Sequence, residues 1–174
     1  KISLKRDRQT FSISGKGKIN GQDLIAAMPI TFMNLSGAAI VSLLKKYRID
    51  LPCSFYSEEK LESKKERSRD NLLVVCDDLD LAWGRFKIRP SGSSGGHHGL
   101  QSIIDSIGSR SFSRLRIGIG KPYANIDVAE YVLSSFTKEE KGKREEIIEK
   151  ACYCCEVWVS EGVSKSMSIF TVSY

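Results

Sequence analysis

Apolar and polar positions follow two different periods along this chain, and the switches between them mark its elements. Phe11, Ile13 and then Ile19 alternate with small or polar residues, Asn20-Gly21 is a tight-turn pair, and residues 24–28 return as a partner strand. That pattern predicts a β-hairpin. Over residues 38–48 the apolar positions Ala39, Ile40, Leu43, Leu44 and Tyr47 recur at helical spacing. Asn34 or Ser36 is placed to cap the first turn of that helix. Residues 72–76 form a continuous apolar run, the pattern of a buried strand, which stops at Asp77, Asp78 and Asp80. An amphipathic strand (84–89), a glycine- and serine-rich loop (91–99), a helix (100–107) and a second buried strand (115–119) follow. Residues 127–133 predict a short helix or strand. Thr137 and Glu140 form a capping box for a helix that runs to about Glu161, where Gly162 is a plausible stop. Its predicted buried stripe is Ile147, Ile148, Ala151, Cys155, Trp158 and Val159. Residues 163–174 read as a last short helix or a frayed end. Strands alternating with helices predict an α/β fold.

At 174 residues the chain has the length of a single domain, 1–174, with a proper core. One stretch differs in character: residues 58–70 hold five acids, five bases and only Leu61 as an apolar residue. Residues 54–70 therefore read as a charged insert, an exposed loop or short solvated helix. The formal charge is +6, from 27 Lys+Arg against 21 Asp+Glu. Residues 85–121 hold seven of the bases and one acid, Asp105, while the remainder balances; positions 1–18 are also locally basic. A basic surplus beside a cluster of carboxylates suggests a polyanionic ligand, nucleic acid first; the bland reading is a solvated Lys/Arg surface.

Five cysteines make an odd count, which favours free thiols and a reducing intracellular compartment. Cys152, Cys154 and Cys155 lie in a helical pattern and lack the spacing of a zinc site, so packing is expected of them, not metal. No apolar run approaches the ~20 residues that cross a bilayer. Carboxylates at the end of a buried strand occupy the place where open α/β sheets hold ligands, and the only two histidines, His97 and His98, lie in the glycine-rich loop. That loop has neither GxxxxGK[ST] nor GxGxxG, which disfavours a mononucleotide site.

The stretches PITFMNLSG (29–37), LLVVCDDLDLAWG (72–84), SGGHHGLQSII (94–104) and FSRLRIGIGKP (112–122) resemble, in order and spacing, the bacterial-type peptidyl-tRNA hydrolases. The resemblance implies one α/β domain, with a twisted mixed β-sheet flanked by helices, that cleaves the ester between peptide and tRNA. It also implies a monomer with no metal and no cofactor. Ester hydrolysis needs a general base to deprotonate water, a carboxylate to orient that base, and amide donors for the developing oxyanion. By resemblance Asp77 is the catalytic carboxylate. Phe32, Met33, Asn34, Asp80, His97 and His98 would line the substrate site, with His97 bracing its loop, and Arg114 and Arg116 would meet tRNA phosphates. The plainer alternatives are a helix cap for Asn34, a strand-end turn for Asp77 and surface pairing for the two arginines.

Two departures from the family pattern stand out. The family's catalytic histidine lies in an N-terminal segment, whereas no histidine precedes Phe32 here. A chain that opens on Lys1 is therefore expected to be a fragment lacking the first strand, inactive as it stands. His98 replaces the family's asparagine, and an imidazole lacks the amide's paired donor and acceptor. The alternative function is that of a non-catalytic RNA-binding relative acting in organellar intron splicing. The expected compartment is a chloroplast or mitochondrial matrix, or a bacterial cytoplasm.

Overall fold

The computed structural model describes residues 2–49, 71–122 and 126–170; the 54–70 insert expected from the sequence lies outside them. The chain forms two compact units, one of residues 1–74 and 89–113, the other of residues 75–88 and 114–174.

In the first unit the hairpin forms as its pattern predicts. β1 (Lys5–Asp7), β2 (Ser12–Ile19) and β3 (Gln22–Pro29) pair antiparallel in the order β1-β2-β3. The turn takes positive φ at both Asn20 (49°) and Gly21 (81°), closing the Ile19–Gln22 pair. This is the twist-matched hairpin turn that Asn-Gly favours. A 3-10 turn, Met33–Leu35, then feeds directly into α1 (Ser36–Tyr47), which starts two residues earlier than its apolar pattern suggests. Neither Asn34 nor Ser36 caps it. Ser36 Oγ donates to the Met33 carbonyl (2.8 Å), and the Gly37 N–H donates to Ser102 Oγ (3.0 Å). The helix start is thus satisfied by a side chain distant in sequence.

That side chain belongs to α2 (His98–Ile107), whose face of Leu100, Ile103, Ile104 and Ile107 is buried. With Ala39, Leu43 and Phe112 it makes up the core of this unit. Gly37 permits the close helix contact: a Cβ there would sit 2.1 Å from the Ser102 carbonyl oxygen and 2.2 Å from Ser106 Oγ. α2 begins before residue 100 because His97 caps it, Nδ1 accepting from the N–H groups of Gly99 (3.0 Å) and Leu100 (3.2 Å).

The second sheet has the order β4-β6-β5, with β4 (Leu73–Asp78), β5 (Phe86–Arg89) and β6 (Ser113–Gly118). Leu72 O accepts from Ser113 N and Asp78 O from Ile119 N. Equal steps in the same direction make β4 and β6 parallel. β5 begins where β6 ends, with Gly118 N donating to Arg85 O (2.7 Å), so β5 runs antiparallel to it. The sheet is mixed, as expected for this α/β fold.

α3 (Val128–Leu133) is capped by Asp127. The capping box forms as predicted: Thr137 N donates to Glu140 Oε2 (2.6 Å) and Glu140 N to Thr137 Oγ1 (3.2 Å). The helix it opens, α4 (Lys138–Phe170), changes direction at Gly162, whose φ of 82° and ψ of 177° are not helical. That conformation belongs essentially to glycine. Tyr153 and Phe170 prove the reversal. Along one straight axis they would stand about 25 Å apart, yet their ring centroids are 5.5 Å apart and edge-on at 70°. The buried face is Cys154, Val157 and Trp158, while Ile148 is 51% exposed. The predicted stripe is rotated by part of a turn, because the dipeptides at 147–148 and 154–155 offer two apolar choices each.

Candidate active site

The second unit gathers charge at the end of β4. Strand alternation puts Cys76 and Asp78 on one face and Asp77 on the other. Both aspartates belong to the strand, which extends two residues past the apolar run. Asp78 is 5% exposed. Its Oδ1 accepts the Asp80 N–H (3.0 Å), fixing the turn that leaves the strand. Its Oδ2 lies 2.7 Å from Arg116 Nε on the neighbouring β6, an ion contact without an aligned hydrogen bond. Asp80 pairs with Lys121 (3.0 Å) in the open, where both side chains are more than half exposed and the pair contributes little.

Four charged side chains act on one thiol, Asp77 from the opposite face of the strand. Burial pushes Cys76 up to about 12, the Asp77 and Asp78 charges push the same way, and Arg116 and Arg114 pull against them. Asp77, Asp78, Arg114 and Arg116 are therefore one electrostatic cluster. Arg114 is 2% exposed, and burial lowers its pKa. That burial argues against the phosphate contact expected of Arg114. Arg116, with a quarter of its side chain exposed, and Lys121 remain at the surface. Asp78 and Lys121 are absent from the set predicted from sequence; the signal for Asp78 is its period-2 placement with Cys76, and for Lys121 the basic stretch that continues past β6.

The first unit brings together the other predicted residues. Phe32 (81% exposed), Met33 (56%) and Asn34 stand in the open around the 3-10 turn, which packs on α2. The contact is made by the absence of a side chain. A Cβ on Gly99 would lie 2.5 Å from Met33 Sδ and 2.9 Å from His97 Cε1. His97 is half-buried and serves as the α2 cap, so it braces the loop as expected, with its proton on Nε2. His98, the first residue of α2, is exposed. Among the described residues no group of three or more His, Cys, Asp or Glu side chains could hold a metal. Nor is any described helix long and apolar enough to cross a membrane.

The second unit thus offers a carboxylate at a strand end with a part-exposed guanidinium and an exposed ammonium group beside it, and the first unit, taken by itself, offers an exposed asparagine on an apolar turn. The family model for peptidyl-tRNA hydrolase matches residues 1–173. The peptidyl-tRNA hydrolase of Desulforudis audaxviator (strain MP104C) is 41% identical over 163 residues, covering 94% of this chain and 73% of that protein. That of Bacillus subtilis (strain 168) is 36% identical over 156 residues, covering 90% and 73%. The crystal structure of peptidyl-tRNA hydrolase from Acinetobacter baumannii superposes with a TM-score of 0.78 at 32% identity, covering 96% of this chain and 76% of that one.

Proposed function

Because the chain belongs to the peptidyl-tRNA hydrolase family, we propose that it works on peptidyl-tRNA, hydrolysing the ester between the peptide and the tRNA. The observation that carries the reading is the family match over residues 1–173, and the carboxylate cluster at the end of β4 supports it. In this reading residues 1–174 act as one domain and as a monomer, without a metal or cofactor. Asp77 holds a histidine in the tautomer that takes a proton from water and stabilises the imidazolium that results. Water adds to the ester carbonyl, the tRNA hydroxyl leaves with the proton, and the peptide is released as its acid. Asn34 positions the 3′ end of the tRNA, with Phe32 and Met33 packed against it, and Arg116 and Lys121 meet phosphates.

Inactivity of this chain gains no support from a family match that runs over residues 1–173. The identity of the base is the open choice. His97 Nδ1 is committed to two backbone N–H groups, which leaves His98 or a histidine outside these 174 residues. His98 in place of the family's asparagine also favours, as a second reading, an RNA-binding relative without catalysis, of the kind that acts in organellar splicing. A bacterial cytoplasm or an organelle matrix would suit either reading.

The test follows release of deacylated tRNA from a peptidyl-tRNA analogue, by residues 1–174 alone and with a family-type N-terminal segment added. Turnover by residues 1–174 alone that disappears in His98→Ala assigns the base to His98; turnover only with the added segment assigns it there. In the active form Asp77→Asn is expected to lower kcat by roughly 10²–10⁴. Full activity of Asp77→Asn refutes the mechanism. Tight tRNA binding without turnover in either form supports the splicing-type reading.

A further inference from the structure

We propose that the hairpin unit carries a nucleic-acid contact of its own, in which one face of β2 and the carboxyl end of α1 grip the phosphodiester backbone of an RNA. The identity of that RNA as tRNA rests on the function proposed above; the anion site itself does not.

Lys5 pairs with Ser14 across β1 and β2, while Lys16 pairs with Ile25 and Lys18 with Asp23 across β2 and β3. Directly paired residues and residues two apart share a face. Lys5, Lys16 and Lys18 therefore point the same way. α1 brings its end to this face: the Tyr47 ring lies under Lys16 Nζ at 4.8 Å from the ring centroid and near Lys46 Nζ at 5.8 Å. Lys46 and Arg48 are its chain neighbours, and Lys5, Lys16, Lys18, Lys46 and Arg48 are all exposed.

Acids do not balance them. Asp7 pairs with Lys46, and Asp23 pairs with Lys18 at 3.3 Å. Among the described residues Lys5, Lys16 and Arg48 have no carboxylate partner. Like charges gathered on one surface repel unless an anion joins them. Lys16 and Lys18 stand one pleat repeat, about 7 Å, apart, which is close to the spacing of successive phosphates along a nucleic-acid strand. Tyr47 holds two ammonium groups over its ring by cation–π attraction. Ser14 and Ala27 share this face, and Ile25, paired with Lys16, is a lone apolar side chain on it, less than the broad apolar face by which a segment enters a bilayer.

The experiment measures binding of deacylated tRNA against KCl concentration for the parent, a Lys5→Gln/Lys16→Gln/Lys18→Gln variant and the matching Lys→Arg variant. Each phosphate that the protein no longer neutralises should flatten the plot of log affinity against log salt by about 0.9. The Gln variant should therefore lose between roughly two and three units of slope, and the Arg variant none. A Gln variant with native circular dichroism and the parent slope overturns the proposal. So does a Gln variant that keeps its tRNA slope but no longer binds vesicles of anionic lipid. Since the tRNA is deacylated, the readout is independent of ester cleavage: the RNA contact can stand if hydrolysis fails, and fall if hydrolysis succeeds.

Discussion

Gly37→Ala is the sharpest probe of how the first unit places Asn34. In most helices this change is favourable, by about 1 kcal/mol of helix propensity. Here the new methyl would sit 2.1 Å from the Ser102 carbonyl oxygen and 2.2 Å from Ser106 Oγ. Ser106 Oγ can turn away, but the Ser102 oxygen is backbone within α2, so α1 and α2 must separate by roughly 1 Å to restore ordinary contact. Overpacking of this kind costs about 1–3 kcal/mol. Lengthening the Gly37 N–H to Ser102 Oγ bond, now 3.0 Å, costs about 1 kcal/mol more. After the propensity gain the net loss is about 2 kcal/mol. Urea unfolding should show a midpoint lower by about 1 M at an unchanged slope. The control is Gly142→Ala, an exposed position in α4 where an added Cβ meets nothing within 4 Å. It should stabilise by about 0.5–1 kcal/mol. Equal stability of parent and Gly37→Ala would refute the close helix contact, as would equal harm from the Gly142 control.

Two further outcomes follow from buried polar chemistry. Burial, with neighbouring negative charge, raises Cys76 and Cys154 from 9.0 to about 12 and Cys155 to about 11. The folded state keeps protons that the unfolded chain releases, so stability is fully present below pH 9 and falls as the pH climbs towards 11–12. Thermal melts between pH 8 and pH 11 should show that decline, made shallower by Cys76→Ala with Cys154→Ala; an equally steep decline in that variant would discard the thiols as its source. His97→Ala should cost about 1 kcal/mol through loss of the α2 cap, whereas His97→Asn should keep most of it. Hydrogen exchange at the Gly99 and Leu100 amides reports this directly, and unchanged protection in His97→Ala would remove the cap.

What the sequence reveals of this fold depends on how locally each element is determined. The Asn20-Gly21 hairpin and the Thr137–Glu140 box need only neighbours within a few residues, and both are found where their letters place them. The start of α1 is different, because its donor is satisfied by Ser102, 65 positions away. His97 is also hard to anticipate as a cap, since Ser, Thr, Asp and Asn dominate that role. The site divides in the same way. Motif letters single out Asp77 and Arg116, but the contact of Arg116 with Asp78 exists only because β6 lies beside β4, and strand order is not written in local periodicity. Arg114 carries the same formal charge as Arg116, yet it is interior. Only the packed sheet distinguishes them.

The doubling-back at Gly162 has a practical side. A group attached in the last turn of this helix, at the exposed Ile169, lies near Tyr153 instead of some 25 Å further out along the helix axis. A dye or affinity handle attached there would sit on the flank of that helix. Replacing Gly162 with any side-chain-bearing residue would put pressure on the reversal and swing the handle away, so the distance between labels near Phe170 and Tyr153 gauges whether the bend is kept.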